Sequence, residues 1–413
     1  SQNAAGFVGV GEKKCRANGA GIIDIDHFKS INDEQGTLAS DRLLKAFSER
    51  LQDFFHEEAL ICRQSGDRFV VLVNGNLSED DIIIRVNMLL EFIEHPFYVE
   101  GQSLYLTASA GISLFPDHAS DAIELFKQGD TALYQAKRKG RNTFVMFESK
   151  MQQEAIDWAS YHAALLYALK HDEINAHYQP QLRTKDGRIV AFEALARWHS
   201  HTLGMVPPDR FIEVAERSGL IERLSQLVTK KALTALASWK EAGYTDIAVA
   251  LNVSVRQLSP DYSKWLAGMV QFCGLEACDV EIEVTESAVM RDVELGRRTL
   301  SDLKKLGFRI AIDDFGTGYS SLSYLDALDP DVLKVDKSFV AGLPENAGSM
   351  QIVKGVIKLA HSLGIQVVTE GVESDEQLET VKTLGADFVQ GFGIAKPMPE
   401  TEVLSWLESN VVG

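Results

Sequence analysis

The strongest constraint on the fold is an alternation of short apolar segments and longer amphipathic segments, which begins near Ala176 and continues toward the C-terminus. Helical stretches such as RLSQLVTKKALTALASWKEAG separate most of the apolar segments, which have the length of buried strands. The eight strand candidates are AHYQPQL, IVAFEALARW, IAVALNVS, VEIEVTES, FRIAIDDFG, DVLKVDKS, IQVVTEGV and DFVQGFGIAKP. Eight strands in strand–helix alternation predict an α/β fold, a (β/α)8 TIM-like barrel over residues 176–413.

The first part of the chain, residues 1–147, mixes strand and helix signals in a less regular order. GIIDIDHF and DRFVVLV predict buried strands, and TLASDRLLKAFSERLQDFF carries apolar residues at helical spacing. Residues 148–175 predict a helix that connects this part to the barrel. The length of 413 residues fits two domains. We therefore predict a smaller α+β domain followed by the barrel.

Composition and charge narrow the class of protein. The formal net charge of −18 argues against a nucleic-acid-binding surface, which would need an excess of lysine and arginine. No apolar run reaches the roughly 18 residues of a membrane helix, and the four cysteines form no CxxC pair. We therefore expect a cytoplasmic protein, or the cytoplasmic part of a larger membrane-anchored sensor, with no membrane segment and no nucleic-acid partner.

Polar side chains stand where the predicted barrel strands end. They are Glu193, Arg197, Asn252, Glu283, Glu286, Asp313, Asp314, Lys334, Glu370 and Gln390. Taken one at a time, such residues are typical of helix caps, turns and ion pairs. The carboxyl ends of barrel strands meet at one face, however, and the active sites of such barrels lie there. A polar group at nearly every strand end therefore predicts an active site.

Two adjacent aspartates, Asp313 and Asp314, indicate the chemistry of this site. Successive strand residues point to opposite faces, so both can face the barrel mouth only if the strand ends between them. The carboxylates expected to cluster are Glu193, Glu283, Asp313, Asp314 and Glu370. Such a cluster requires cations or protonation, and oxygen ligands beside the Asn252 amide suit Mg²⁺ or Mn²⁺. Two such ions about 3.5–4 Å apart would support phosphoester hydrolysis.

Seven motifs in this half resemble, in order, those of EAL-domain cyclic di-GMP phosphodiesterases. They are FEALARW, LNVS, EVTES, DDFGTGYSSL, LKVDKSF, VVTEGVE and QGFGIAKP. The resemblance implies a divalent-metal hydrolase that opens cyclic di-GMP to linear pGpG. The implied ligands of the first metal ion are Glu193, Asn252, Glu283 and Asp313. Those of the second are Asp313, Asp314 and Glu370.

The same resemblance implies roles for the remaining strand-end residues. Lys334 would orient the attacking water and balance developing charge, and Gln390 would form a hydrogen bond near that water. Arg197 would contact a substrate phosphate. Glu286 would hold the loop after Asp314 in place. The implied catalytic set is Lys334, Glu370, Glu286 and Gln390.

The first part of the chain resembles a GGDEF diguanylate cyclase domain through IIDIDHFKSIND, SGDRFVVL and ALYQAKRKGRN. Its signature is degenerate, because Ser65 replaces a glycine and Arg68 replaces an acidic residue. The N-terminal SQNAAGFVGVGEKKCRANGA also lacks the opening motif of that family. The resemblance still implies a GTP site, with Asp24 as a metal ligand and with Asn32 and Asp41 as guanine contacts.

The resemblances leave more than one functional interpretation. The leading one is a homodimeric phosphodiesterase whose inactive GGDEF domain is regulatory and senses GTP. Its rival is a receptor that binds cyclic di-GMP without cleaving it. Receptors of this kind typically lose metal ligands, and this chain keeps all of them. An active cyclase is disfavoured by Ser65 and Arg68.

Overall fold

The computed structural model of the protein describes residues 17–74, 78–99, 101–254, 257–289, 293–316, 325 and 328–410. The N-terminal segment expected to be atypical lies, up to residue 16, outside the described residues. The chain divides into two compact units, Ser1–Ala159 and Ser160–Gly413. The limits 1–147, 148–175 and 176–413 stay predictions.

The first unit is an α+β domain. Its strands are β1 (Ala17–Ile25), β2 (Ala59–Ser65), β3 (Arg68–Asn74), β4 (Phe97–Val99), β5 (Gln102–Leu104), β6 (Ala108–Leu114) and β7 (Phe144–Met146). Its helices are α1 (Phe28–Gln35), α2 (Thr37–Phe55), α3 (Glu79–Ile93) and α4 (Ala122–Arg138). Five of the strands form one sheet in the order β2-β3-β1-β6-β7, and β1 runs antiparallel to both neighbours.

A hydrophobic core covers one face of this sheet. Leu43, Phe47 and Leu51 recur at helical spacing on α2, and all three are fully buried. The Phe47 ring lies 5.1 Å from the ring of Phe69 on β3. This packing holds β1 and β3 in register and makes Asp24 the cross-strand partner of Arg68.

The second unit is a barrel with surrounding helices. Its strands are β8 (Ile174–Arg183), β9 (Ile189–Ser200), β10 (Gly204–Val206), β11 (Ala248–Asn252), β12 (Val280–Thr285), β13 (Arg309–Phe315), β14 (Val332–Val335), β15 (Gln366–Thr369), β16 (Phe388–Val389) and β17 (Met398–Pro399). Helix α5 (Ser149–Ala168) contains the boundary between the units. The later helices are α6 (Pro208–Ser218), α7 (Ile221–Glu241), α8 (Pro260–Phe272), α9 (Glu286–Val289), α10 (Val293–Lys305), α11 (Lys337–Val340), α12 (Ala347–Ser362), α13 (Asp375–Leu384) and α14 (Glu400–Asn410). Within the described ranges, no helix combines the length and apolarity needed to span a membrane.

Eight strands close the barrel, which confirms the predicted fold class. The order around it is β8-β9-β11-β12-β13-β14-β15-β16, and β16 pairs again with β8. Strand β8 runs antiparallel to both neighbours, whereas the other neighbouring strands are parallel. The cause is the short turn Thr184–Arg188, because a parallel connection needs a crossover of a dozen or more residues. The N-terminal half of β8 therefore lies at the same end of the barrel as the C-terminal ends of the other strands.

Side-chain alternation along β8 and β9 separates the inside of the barrel from the outside. Tyr178 and Phe192 point outward and pack on Trp239 of α7, with ring centroids 4.9 and 5.1 Å from it. Their neighbours Gln179 and Glu193 point the opposite way, into the barrel, and both are buried. The outward apolar residues hold the helices, and the inward polar residues build the mouth.

Candidate active site

The ammonium group of Lys334 lies at the centre of the barrel mouth. Its Nζ atom is 2.8 Å from Glu283 Oε2, 3.2 Å from Asp313 Oδ2 and 2.7 Å from Glu370 Oε1. Glu193 Oε2 is 3.8 Å away. Lys334 is 0% exposed, so these charges interact without the screening that water provides at a surface. Five barrel strands, or the residue directly after one of them, therefore contribute one ionisable group each to a single buried cluster. Glu193 and Arg197 do not end their strand as predicted, because β9 continues to Ser200.

Two amides fix the carboxylate of Glu193. Asn252 Nδ2 donates to Glu193 Oε1 at 2.6 Å, and Gln390 Nε2 donates to Glu193 Oε2 at 2.6 Å. Burial alone would raise the pKa of Glu193, but Lys334 and these two hydrogen bonds outweigh it and lower the pKa. Glu193 therefore stays ionised in the mouth.

The two adjacent aspartates face the mouth in a way that differs from the expectation. Strand β13 does not end between Asp313 and Asp314 but continues to Phe315. Asp314 instead adopts a left-handed backbone with φ of 55°, and the pairing of β13 with β14 shifts register there. The Asp314 amide donates to Asp313 Oδ1 at 2.8 Å. A bulge, and not a strand end, thus lets both carboxylates line one cavity.

Glu286 lies at the start of α9, next to the end of β12. Its Oε2 atom accepts a hydrogen bond of 3.1 Å from the backbone amide of Gly316, two residues after Asp314. The loop beyond Gly316 lies outside the described residues until position 325. The contact ties the bulge that carries Asp314 to the neighbouring strand.

Burial and the neighbouring carboxylates make two acidic groups of the mouth harder to ionise than they would be in water. Burial raises the pKa of Glu370 to about 8; Lys334 opposes this effect, while Asp313 and Glu193 add to it. Burial also raises the pKa of Glu283 well above its ordinary value. Burial would lower the pKa of Lys334, but the surrounding carboxylates raise it well above its ordinary value. One permanent ammonium therefore faces carboxyl groups that resist ionisation in the absence of further cations.

The donor atoms fit divalent metal ions. In the described part of the chain, no three His, Cys, Asp or Glu side chains are already arranged as a metal site. In the mouth, the Lys334 ammonium lies among the acidic side chains. Glu283 Oε1 is nevertheless buried and accepts no hydrogen bond from the described residues. Carboxylate and amide oxygens are the ligands that Mg²⁺ and Mn²⁺ prefer. An orphaned carboxylate oxygen within an acidic cluster is what a hard cation would satisfy.

The mouth opens into a cavity of about 1320 Å³ that includes space open to solvent. Its polar lining includes Glu193, Asn252, Glu283, Asp313 and Asp314. Its apolar lining includes Ile212, Ile221, Leu224, Val228 and Leu251. Arg197 also lines the cavity and is half-buried; its Nη1 atom donates to the backbone oxygen of Ala196 at 2.8 Å. The cavity thus combines apolar side chains, a guanidinium and carboxylates in its lining.

Comparison with known proteins identifies both units. A family model described as the EAL domain matches residues 162–397, and one described as diguanylate cyclase, GGDEF domain, matches residues 14–143. The cyclic di-GMP phosphodiesterase NbdA of Pseudomonas aeruginosa is 37% identical over 393 residues, which cover 94% of this chain and 50% of that protein. The chain is a GGDEF–EAL protein. Its barrel is therefore an EAL domain and its first unit a GGDEF domain.

Two further relatives of this GGDEF–EAL protein are informative. The cyclic di-GMP phosphodiesterase PdeR of Escherichia coli K12 is 34% identical over 94% of this chain and 58% of that protein. The chain thus spans about half the length of these curated relatives. The solved structure of the PaMucR phosphodiesterase in complex with c-di-GMP is 33% identical, with a TM-score of 0.57. The match covers 59% of this chain and 99% of the PaMucR chain.

The EAL domain contains two buried glutamines that the sequence analysis missed. Gln181 Nε2 donates to Gln390 Oε1 at 3.0 Å, and Gln390 Nε2 donates to Gln179 Oε1 at 3.1 Å. Gln179 Nε2 in turn donates to the backbone oxygen of Ala395 at 3.1 Å. These bonds fix the orientation of the Gln390 amide that holds Glu193. The available signal was the pair of polar residues in the otherwise buried strand AHYQPQL.

The residues predicted to form a GTP site in the GGDEF domain lie on three different elements. Asp24 is buried at the end of β1 and forms an ion pair with Lys137. Arg68 Nε lies 3.7 Å from the other Asp24 oxygen. Asn32 is half-buried on α1 and Asp41 is exposed on α2. Among the described residues, no hydrogen bond or ion pair joins either side chain to Asp24.

Proposed function

We propose that this chain hydrolyses cyclic di-GMP to linear pGpG in its EAL domain, by a mechanism that uses two Mg²⁺ or Mn²⁺ ions. The observation that supports this most is the buried cluster in which Glu193, Glu283, Asp313 and Glu370 surround Lys334. An acidic cluster of this kind needs further positive charge, and a phosphodiester transition state needs cationic stabilisation. Both requirements are met by divalent cations.

The ligand assignment remains the one that the resemblance implied. The ligands proposed for the first ion are Glu193, Asn252, Glu283 and Asp313, and those for the second are Asp313, Asp314 and Glu370. When bound, the ions would lower the pKa of a water molecule and stabilise the leaving oxygen. The bulge at Asp314 supports this assignment, because it directs two successive carboxylates into one cavity.

The chain's own groups have distinct tasks in the proposed reaction. Lys334 orients the attacking water and balances charge that develops on the phosphate, as its permanent ammonium suits it to do. Gln390 holds Glu193 and can donate near the water. Glu286 holds the bulge through Gly316. These contacts keep the reacting groups in place before substrate arrives.

The shape of the cavity suits a dinucleotide. Its apolar lining can pack against a base, and Arg197, which also lines the cavity, is the residue proposed to pair with a phosphate oxygen. The relatives NbdA and PdeR are named cyclic di-GMP phosphodiesterases, and the PaMucR structure contains c-di-GMP. Their names support cyclic di-GMP as the substrate proposed for this chain.

The decisive experiment is incubation of the protein with cyclic di-GMP and either Mg²⁺ or Mn²⁺, followed by chromatography for pGpG. We expect pGpG to accumulate with metal and not with chelator. A parallel binding measurement by calorimetry separates the two interpretations. Tight binding without product under every metal condition would support the receptor hypothesis in place of hydrolysis.

We further propose that the GGDEF domain is regulatory, that it senses GTP and that the protein acts as a homodimer in the cytoplasm. Asn32 and Asp41 are the proposed guanine contacts. An allosteric coupling of about 1–3 kcal/mol would change substrate affinity roughly 5–150-fold. The test is hydrolysis titrated with GTP in the wild type and in an Asn32→Ala/Asp41→Ala double variant. Identical wild-type curves with and without GTP would exclude GTP regulation. Light scattering measures the molar mass in solution and so tests the proposed homodimer.

A further inference from the structure

The carboxylate of Asp24 in the GGDEF domain is already provided with cations by the chain itself. One oxygen pairs with Lys137 of α4, and the other lies 3.7 Å from Arg68 Nε. Asp24 is only 4% exposed, so little solvent reaches it between these partners. This is the carboxylate for which the sequence resemblance implied a metal ion.

Arg68 is held in this position from a second side. Its Nη1 atom lies 2.9 Å from Asp130 Oδ1 on α4. The same helix supplies Lys137, while β3 supplies Arg68 and β1 supplies Asp24. Three elements thus converge on one ion-pair network, which places the guanidinium beside the carboxylate and limits its freedom to swing away.

A divalent ion does not fit this arrangement. Mg²⁺ binds through carboxylate oxygens and demands near-ideal octahedral geometry, and here the oxygens of Asp24 already face an ammonium and a guanidinium. A dication placed at Asp24 would be repelled by both groups. Arg68 stands where the GGDEF signature has an acidic residue, so the substitution removes a negative charge and adds a repelling positive charge at once. Asp67, which is half-buried, lies near enough for its negative charge to raise the pKa of Asp24.

We propose that Arg68 and Lys137 replace the divalent cation at Asp24, so that the GGDEF domain is a site from which metal is excluded by the chain's own side chains. The chemical class concerned is a hard divalent cation such as Mn²⁺. A consequence is that any nucleotide that this domain binds is bound without a metal ion at Asp24. The inference concerns the GGDEF domain alone and does not depend on hydrolysis in the EAL domain.

The test counts Mn²⁺ ions bound per full-length chain by equilibrium dialysis with metal analysis. Arg68→Glu restores a carboxylate beside Asp24, and Arg68→Gln removes the charge without adding a ligand. Asp24→Asn is made alone and in combination with Arg68→Glu. The EAL domain is identical in all variants, so its metal ions contribute a constant background. Circular dichroism confirms that each variant is folded.

We expect wild type, Arg68→Gln and Asp24→Asn to bind the same number of ions. Arg68→Glu should bind about one more, and Asp24→Asn in combination with it should remove the additional ion. A loss of one ion in Asp24→Asn alone would show that wild type holds metal at Asp24 and would overturn the proposal. Equal numbers in wild type and folded Arg68→Glu would also overturn it, because Arg68 would not control exclusion.

Discussion

The EAL mouth and the GGDEF site both place buried aspartates beside a lysine, but they differ in how the charge is balanced. In the mouth, Glu193, Glu283, Asp313 and Glu370 surround the single ammonium of Lys334. In the GGDEF site, Asp24 is contacted by two cationic side chains. On our proposals, the first arrangement takes up cations from solution, whereas the second supplies its own.

The difference indicates that negative charge without a cationic partner, and not the mere presence of carboxylates, distinguishes the proposed metal site from the GGDEF site. The orphaned Glu283 oxygen reports that surplus in the mouth. Burial raises the pKa of both Glu370 and Asp24, so this shift does not distinguish the two sites. At Asp24, a single residue, Arg68, both removes a carboxylate and adds a cation. The predictions below test this contrast in order of decreasing effect.

The largest effect is expected from Glu193→Ala. It removes a proposed ligand together with the anchor of Asn252 and Gln390, so hydrolysis should fall below detection while the fold persists. The measurement is pGpG formation by chromatography, with circular dichroism as the fold check. Glu376→Ala, at an exposed position on α13, is the matched control and should keep wild-type activity. Wild-type turnover in Glu193→Ala would refute the assignment of the mouth as the active site.

Lys334→Met should lower turnover by roughly 10²–10³-fold, since it removes the fixed positive charge next to the proposed reacting phosphate. Substrate binding should survive. Breaking a buried ion pair costs about 3–5 kcal/mol, so the melting temperature should fall as well. Rapid-quench kinetics and calorimetric binding measure the two properties separately, and Lys358→Met on the exposed side of α12 is the control. Lost binding with unchanged turnover would instead make Lys334 a substrate anchor.

Gln181→Leu should have an intermediate effect. The substitution removes the donor that fixes Gln390 Oε1, and residues that orient metal ligands typically contribute about 10–100-fold to activity or metal affinity. We expect the Mn²⁺ concentration needed for half-maximal hydrolysis to rise. Gln271→Leu, at an exposed position of α8, controls for the change of residue type. An unchanged metal requirement with full activity would show that the hydrogen bonds among Gln179, Gln181 and Gln390 only stabilise the fold.

The smallest effect should come from Arg68→Ala in the GGDEF domain. Partly exposed ion pairs contribute about 0–1 kcal/mol to stability, and Arg68 is 35% exposed. Arg85→Ala is the control for the loss of a partly exposed arginine, because Arg85 is 37% exposed and its partner Glu58, unlike Asp24, lies at the surface. Urea denaturation should give similar small shifts for both variants. A much larger loss in Arg68→Ala would mean that the network at Asp24 is a major element of the domain's stability.

The sequence predicted the barrel and the residues of its mouth because strand alternation and strand-end position are local properties. The direction of β8 was not recognised, although the short segment TKDGR between β8 and β9 indicates a hairpin. The bulge at Asp314 was also missed, because a left-handed aspartate has no signature in residue spacing. Lys137 and Asp24 are 113 residues apart along the chain. Such a pairing arises from tertiary packing and could not be read from the pattern.

The reversed direction of β8 has a consequence for synthesis on the ribosome. Its hairpin with β9 can form early, but its other edge pairs with β16 and β17, which come late in the chain. Gln179 and Gln390, which touch in the finished barrel, are 211 residues apart. At about 5–20 residues per second, the nascent chain carries an open strand edge for roughly 10–40 s. Limited proteolysis of ribosome-bound chains would detect that edge, and a chaperone that covers it would protect the barrel until its last strand emerges.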